Sequence, residues 1–452
     1  MGDRLFGTDG IRGTANVEPM TSETVLRLGR AIAHVVKRSA RRHKIIIGKD
    51  TRLSGYMLES ALTSGICSMG VDVLLCGPIP TPGIAFLTRS MRADAGVMIS
   101  ASHNPFQDNG IKFFDSTGFK LADEVEREIE ALVHNGANAA IRPTAEAIGK
   151  AFHLDDALGR YNVFLKNTFP RHLTLDGLKI VIDCAHGAAY RVGPEVLAEL
   201  GADVLAMGDQ PNGENINRER GALHPQALAS RVRSEGAHLG VALDGDADRV
   251  ILVDERGEVV DGDEVLAMLG LALHASGRLA GQAVVATVMS NLGLELALRE
   301  RGVELIRVQV GDRYVVEEMV RGGYVLGGEQ SGHIVSLEHG TTGDGLLTAL
   351  SVLGLMVESG QPLSALRRAM QRLPQRLVNV RVRERREIDA LPAVRQTIDR
   401  VTRDLAGRGR VLVRYSGTEP LVRVMVEGEQ AGQVERYCEE IAAALRESVG
   451  TV

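Results

Sequence analysis

The chain has 452 residues, of which 44% are hydrophobic and 24% charged, with 51 Gly and 14 Pro. At about 150 residues per domain, that length predicts roughly three domains, and the composition excludes a disordered or collagen-like chain. Lys and Arg number 52 against 58 Asp and Glu, a net charge of −6, and aromatics are few (Trp 0, Tyr 7, Phe 9). With no long basic run beside aromatics, an extended nucleic-acid surface is excluded too.

In chain order, three segments share one pattern of apolar strand, Gly-containing turn, helix and second apolar strand. The first predicts a strand over 45–48, a helix over 57–67 and a strand over 71–75. The second predicts a strand over 179–183, a helix over 192–200 and a strand over 202–205. The third predicts a strand over 283–288, a helix over 292–301 and a strand over 303–308. Short, nearly continuous apolar strands alternating with helices imply parallel sheets covered on both faces, repeated three times. Breaks are read at 135–143, behind an amphipathic helix carrying Val125, Ile129, Leu132 and Val133, and again at 254–262 and 371–374. Beyond the last break a smaller α+β unit has strands over 377–383, 410–414 and 421–427. A final helix follows, with Val434, Tyr437, Cys438, Ile441 and Leu445 on one face. The expected domains are therefore 1–150, 151–255, 256–370 and 371–452: three similar α/β domains and a small C-terminal α+β domain. Cys67, Cys76, Cys184 and Cys438 have neither metal nor redox spacing, and sit among apolar neighbours as buried small hydrophobes do. Met1–Arg4 leads into a Gly-rich motif with no signal-like apolar run, and no apolar stretch reaches about 18 residues. A cytoplasmic location and no membrane partner are expected.

Five loops carry polar chemistry, and ligands of doubly wound sheets lie beyond the strand carboxyl ends. The first is Ser100-Ala101-Ser102-His103-Asn104-Pro105, with Asn109-Gly110-Ile111-Lys112 following. It reads either as a tight turn capped by Ser102 or as a phosphoryl-carrying Ser102 with Lys112 near enough to neutralise charge. The second is Asp244-Gly245-Asp246-Ala247-Asp248-Arg249. Three carboxylates this close repel unless a cation sits between them. Arg249 stands where an EF-hand needs Gly, so a three-Asp site for Mg²⁺ fits better than a calcium loop, with a solvated acidic turn as the bland alternative. The third, Arg414-Tyr415-Ser416-Gly417-Thr418-Glu419-Pro420 with Arg423, has the parts of a phosphate cradle, or of a plain turn between strands. The fourth, Gly327–His333, packs hydrogen-bonding side chains between glycines as a polyol-recognition loop does. The fifth, Phe6–Gly13, is Gly-rich with one Arg, and matches neither a Walker A loop nor a dinucleotide fingerprint. A phosphoserine of about −1.5 to −2 charges beside three Asp needs a metal, so the first two loops explain each other.

In this order, Thr8–Gly13, Ser100–Pro105, Asp244–Arg249, Gly328–His333 and Arg414–Pro420 together resemble the α-D-phosphohexomutase superfamily along essentially the whole chain. The wording of Phe6–Gly13 and the Gln330 within the fourth loop resemble its phosphoglucosamine mutase branch. Ser100 stands where the commoner wording has Thr, which keeps the hydroxyl.

The resemblance implies three α/β domains around a central cleft plus a small closing C-terminal domain. It implies reversible conversion of glucosamine 6-phosphate to glucosamine 1-phosphate through a phosphorylated Ser102 and a sugar 1,6-bisphosphate. Asp244, Asp246 and Asp248 would hold one Mg²⁺, completed by a phosphate oxygen on Ser102. Arg12, Lys112, Arg249 and His333 match basic positions assigned to charge stabilisation or proton transfer. Glu329, Ser331, Asp312 and Arg313 would meet the sugar, while Arg414, Ser416, Gly417, Thr418 and Arg423 would bind the second phosphate. A sugar 1,6-bisphosphate, or phosphorylation of Ser102, would activate the enzyme, the partner being a small phosphosugar and the assembly a homodimer. The alternatives are the phosphomannomutase/phosphoglucomutase branch, a phosphosugar sensor, and an aspartyl phosphatase using Asp244. Ser102→Ala separates the last two from a mutase.

Overall fold

In the computed structural model the described residues are 5–450, apart from 8, 38, 40, 136–142 and 417–419. Thr8, the linker residues 136–138, and Gly417 and Thr418 of the phosphate loop lie outside the described residues. The chain forms two compact units, one of Met1–Met289 and Leu305–Arg368, the other of Ser290–Glu304 and Ala369–Val452.

The first unit carries three sheets. The N-terminal sheet contains β1 (Ile11–Thr14), β2 (Lys44–Lys49), β3 (Asp72–Pro78), β4 (Ala95–Ile99), β5 (Asp108–Asp115) and β6 (Ala151–His153), in the order β1-β5-β4-β2-β3-β6. The second contains β7 (Lys179–Asp183), β8 (Asp203–Met207), β9 (Leu239–Leu243), β10 (Val250–Asp254) and β11 (Val259–Val260), in the order β11-β10-β9-β7-β8. The third contains β12 (Ala283–Thr287), β13 (Glu304–Val308), β14 (Leu326–Gly328) and β15 (Ile334–Ser336), in the order β13-β12-β14-β15. The block β5-β4-β2-β3 therefore recurs as β10-β9-β7-β8 and as β15-β14-β12-β13. The triplication expected from the sequence is a repeat of strand order.

The sheets are mixed rather than parallel throughout, which corrects the sequence expectation. β2 pairs in parallel with β3 and β4, β7 with β8 and β9, and β12 with β14. In each sheet one strand then turns straight back antiparallel: β5 on β4, β10 on β9 and β15 on β14. The connecting loops are too short for the dozen or more residues that a parallel crossover needs. Those three returns are the loops Ser100–Gln107, Asp244–Arg249 and Glu329–His333. Each chemical loop thus occupies the same topological place in its own sheet.

The strands leading into the first two loops, β4 and β9, are buried at every position, so both faces are covered and their ends are held firmly. The main N-terminal core packs Ile45, Ile47, Val97 and Ile99 against the helices Ser22–Val36 and Gly55–Cys67. Asp261 caps the helix Gly262–Ala275 through Asp263 N and Glu264 N, and Glu264 returns the bond to Asp261 N, which fixes the entry of the third sheet's chain.

The second unit is an antiparallel sheet of β16 (Gln375–Arg381), β18 (Leu421–Gly428) and β17 (Gly409–Tyr415), in that order. The helices Pro392–Leu405 and Ala431–Val449 cover it, burying Val394, Val401, Val434, Cys438, Ile441 and Leu445 against Val422, Val424 and Val426. The helix Leu292–Glu300 joins this unit through the fully buried Glu427, which accepts from Leu292 N at 3.2 Å and from Arg410 Nε at 2.7 Å. Cys184 and Cys438 are buried as expected, whereas Cys67 and Cys76 are half-buried. Among the described residues no single helix is long and apolar enough to cross a membrane.

Candidate active site

Ser102 follows β4 and carries a left-handed backbone, φ +51°, which costs a serine about 1–3 kcal/mol. Neighbouring groups hold it there. Its N–H donates to Ser100 Oγ at 2.9 Å, and Ser100 Oγ in turn donates to Asp50 Oδ2 at 2.6 Å. Its carbonyl accepts from Arg52 Nη2 at 2.9 Å and from Asn217 Nδ2 at 2.8 Å. Arg52 is fully buried and uses all its nitrogens: Nε on Asp50, Nη1 on the Pro105 and Asp108 carbonyls, and Nη2 on those of Ser102 and Asn104. The loop is therefore wired to a guanidinium from the end of β2.

Ser102 Oγ donates to Asp244 Oδ2 at 2.5 Å and lies 3.2 Å from His103 Nδ1. The loop carrying Asp244, Asp246 and Asp248 is buried, and one possible ligand oxygen from each lies within 4.8 Å of the other two. Burial, with Asp248 and Asp246 close by, pushes Asp244 well above the usual carboxylate range. Lys112 Nζ donates to Asp246 Oδ2 at 2.9 Å and to Asp248 Oδ2 at 3.0 Å, and Asp9 Oδ2 is 3.3 Å away. Burial works against this ammonium, but Asp246, Asp248 and Asp9 raise its pKa well above the ordinary lysine value. At Asp248 burial would raise the carboxyl, but Lys112, His333 and Arg249 together outweigh it and hold it well below its usual range.

Those bonds use one oxygen of each carboxylate. Asp246 Oδ1 and Asp248 Oδ1 are buried with no hydrogen-bond partner. Orphaned carboxylate oxygens of this kind, in an all-oxygen donor set, fit a hard divalent cation such as Mg²⁺.

Arg12, Arg249 and His333 lie beside these carboxylates. Arg12 pairs with Asp9, and Arg249 Nε is 3.9 Å from Asp248 Oδ1. His333 is buried, with Nδ1 3.7 Å from Asp248 Oδ1 and Nε2 3.5 Å from Asp312 Oδ2. Burial would lower its pKa, yet Asp248 and Asp312 raise it. His103, in contrast, is pushed down to about 4 by burial and by Arg249 and Arg12, which keeps it neutral.

In the third loop-bearing sheet, Glu329 Oε1 accepts from Gly311 N at 3.2 Å, and Ser331 Oγ donates to Glu329 Oε2 at 3.4 Å. Gln330 turns toward the helix cap, Nε2 donating to Asp261 Oδ2 at 3.2 Å. Arg313 faces the N-terminal domain, donating to Glu126 at 3.2 Å and to the Leu121 carbonyl at 3.1 Å. In the second unit Arg414 and Arg423 are direct cross-strand partners on β17 and β18. Burial, and the charge of Arg423, lower the Arg414 pKa from its ordinary value, as two guanidiniums held side by side do. Arg385 donates to the Ser416 carbonyl at 2.7 Å.

Sequence reasoning missed five participants: Asp9, Asp50, Arg52, Thr81 and Lys120. Lys120 bridges Asp9 and Asp312. Asp50 and Arg52 follow β2, and Thr81 follows β3, so the rule that placed the other loops beyond strand ends could have found them. Nothing local marks Lys120.

The chain is similar to known proteins along its length. Models of phosphoglucomutase/phosphomannomutase domains match in order: α/β/α domain I over residues 3–140, domain II over 160–257, domain III over 261–373 and the C-terminal domain over 377–444. The phosphoglucosamine mutase of Syntrophotalea carbinolica is 58% identical over 451 residues, covering 100% of this chain and 99% of the relative. That of Anaeromyxobacter dehalogenans is 60% identical over 458 residues, covering 100% of both. Among solved structures, a phosphoglucomutase/phosphomannomutase family protein from Burkholderia thailandensis aligns with a TM-score of 0.81 at 22% identity, covering 100% of both chains. The Aspergillus fumigatus N-acetylphosphoglucosamine mutase, in complex with GlcNAc-6P and magnesium, aligns with a TM-score of 0.70 at 19% identity, covering 99% of this chain and 96% of that one.

Proposed function

Because the chain belongs to the phosphoglucomutase/phosphomannomutase family, we propose that it is a phosphoglucosamine mutase that interconverts glucosamine 6-phosphate and glucosamine 1-phosphate. The product supplies UDP-N-acetylglucosamine for the cell wall. The observation that carries the chemistry is a serine hydroxyl 2.5 Å from Asp244, inside a buried three-carboxylate cluster two of whose oxygens accept no hydrogen bond. Full-length relatives of the same name carry the choice of sugar. Four domains divide the work, over 1–150, 151–255, 256–370 and 371–452.

Phospho-Ser102 gives its phosphoryl group to the free sugar hydroxyl. The bond from phosphorus to Ser102 Oγ breaks as the bond to the sugar oxygen forms, yielding glucosamine 1,6-bisphosphate. The hydroxyl loses a proton and Ser102 Oγ gains one. The bisphosphate then turns over and returns its other phosphoryl group to Ser102. Asp244, Asp246 and Asp248 would hold Mg²⁺, which supplies positive charge to the transferring phosphoryl oxygens. Lys112, held as an ammonium by its carboxylates, is assigned as proton donor to Ser102 Oγ, and His333 takes part in the proton transfer at the sugar. Arg12 and Arg249 add charge stabilisation. Glu329 and Ser331 accept and donate hydrogen bonds to the sugar, with Asp312 and Arg313 behind them. Arg414, Ser416, Gly417, Thr418 and Arg423 bind the phosphate that is not reacting. The enzyme is read as cytoplasmic and homodimeric, and is primed by a sugar 1,6-bisphosphate or by phosphorylation of Ser102.

Phosphorus NMR with Mg²⁺ and a trace of sugar bisphosphate tests the sugar. Glucosamine 6-phosphate is expected to give its 1-phosphate far faster than glucose or mannose 6-phosphate. A faster signal from either of those would overturn the amino-sugar assignment and leave the family chemistry standing.

A further inference from the structure

Asp246 is held twice by one residue of the N-terminal domain. Thr81 opens the helix Thr81–Ser90 beyond β3, and is buried. Its N–H donates to the Asp246 carbonyl at 2.9 Å, and its Oγ1 donates to Asp246 Oδ2 at 2.5 Å. Lys112 takes the same Oδ2 at 2.9 Å, while Oδ1 stays buried without a partner. A carboxylate whose main chain and one oxygen are both fixed has its other oxygen aimed. The hydroxyl has one proton, and donating it to Oδ2 leaves Thr81 as a support for the carboxylate. A threonine also suits the task because its branched Cβ is stiff at χ1.

We infer that Thr81 is a positioning residue for the divalent cation, turning Asp246 Oδ1 toward it, so that a site formed by the second domain's loop depends on a side chain of the first. The inference rests on reading Asp244, Asp246 and Asp248 as the cation site. Supports of this kind alter metal affinity without touching the metal.

The test is Mn²⁺ binding to the chelator-treated full chain, followed by the electron paramagnetic resonance of free Mn²⁺. Thr81→Val should weaken binding by about 10- to 100-fold. Thr81→Ser, which keeps the hydroxyl, should stay within about threefold of the parent. In activity assays the Mg²⁺ concentration for half-activation should rise in Thr81→Val, with KM for the sugar phosphate unchanged. Should Thr81→Val fail to fold, Thr81→Ala is measured in its place. Parent-like Mn²⁺ affinity in Thr81→Val would overturn the inference, as would Thr81→Ser binding as weakly as Thr81→Val. Asp246→Asn tells the two failures apart. If it too binds Mn²⁺ like the parent, the cation-site reading fails; if it alone loses binding, only the role of Thr81 does.

Discussion

At Ser102 the backbone sits where a serine is strained, and the surroundings that keep it there are polar. The central one is Arg52, whose donors serve one carboxylate and four carbonyls. Arg52→Met would take the cationic partner from the buried Asp50 and remove a donor from each of those carbonyls, leaving weaker neutral donors such as Ser100 and Asn217 in place. It should lower unfolding free energy by about 3–5 kcal/mol, read from the denaturant midpoint, with phosphorylation of Ser102 lost in whatever folds. Arg52→Lys has three donors for five acceptors and should fall between. The grouping of Ser102 with the three Asp was legible in the sequence because each stands in a short polar loop after an apolar strand, and because three adjacent carboxylates need an explanation; Lys112 lies on β5, just beyond the serine loop. The strand-end rule reaches Arg52 and Thr81 but gives neither of them a role. A charged residue two positions from an Asp looks like an ordinary surface pair until the loop it serves, some fifty residues on, is folded against it.

At the scale of elements, the working unit is a strand, a short loop and an antiparallel return, made three times. The sequence showed the strands and their helices, but not the returns. Parallel and antiparallel strands buried on both faces share one apolar pattern, and only the length of the connection separates them. Between the first two such loops the approach is close: a Cβ on Gly245 would lie 2.5 Å from the Ser102 carbonyl and 2.8 Å from Asn217 Nδ2. Gly245→Ala should therefore push the serine loop off the carboxylate loop and lower kcat by about 100-fold, the effect of an ångström-scale misplacement, with a smaller change in melting temperature. An unchanged kcat would show that the two loops tolerate separation.

At the scale of the whole molecule, a buried pair in the first unit ties stability to pH. Tyr161 donates to Asp344 Oδ2 at 2.8 Å, and Asp344 Oδ1 accepts from Leu347 N at 2.9 Å as the cap of the helix Gly345–Ser359. Burial pushes Asp344 up to about 6 from 3.8, against the pull of those hydrogen bonds. A carboxyl raised on folding favours the protonated native state. Its contribution is fully present below pH 4 and is lost as pH rises through 6, on the order of 3 kcal/mol over that range. Asp344→Asn keeps an acceptor for Leu347 and should flatten the slope, so that its unfolding free energy gains on the parent's between pH 4 and pH 7. A constant difference would contradict that. The four-domain order and the α/β character were visible in the spacing of strands and breaks. The packing of Leu292–Glu300 onto the C-terminal sheet was not, because it depends on Glu427, a single buried carboxylate more than a hundred residues away.

Ser102 carries the phosphoryl group that moves, so a label placed on that group must leave with it. The full chain, charged with ³²P on Ser102 and freed of excess donor, is mixed for a single turnover with unlabelled glucosamine 6-phosphate and Mg²⁺. Label should leave the protein and appear in the sugar bisphosphate and sugar monophosphate, and Ser102→Ala should neither take up label nor turn over. Label retained on Ser102 while product forms, or turnover in Ser102→Ala, would contradict that role.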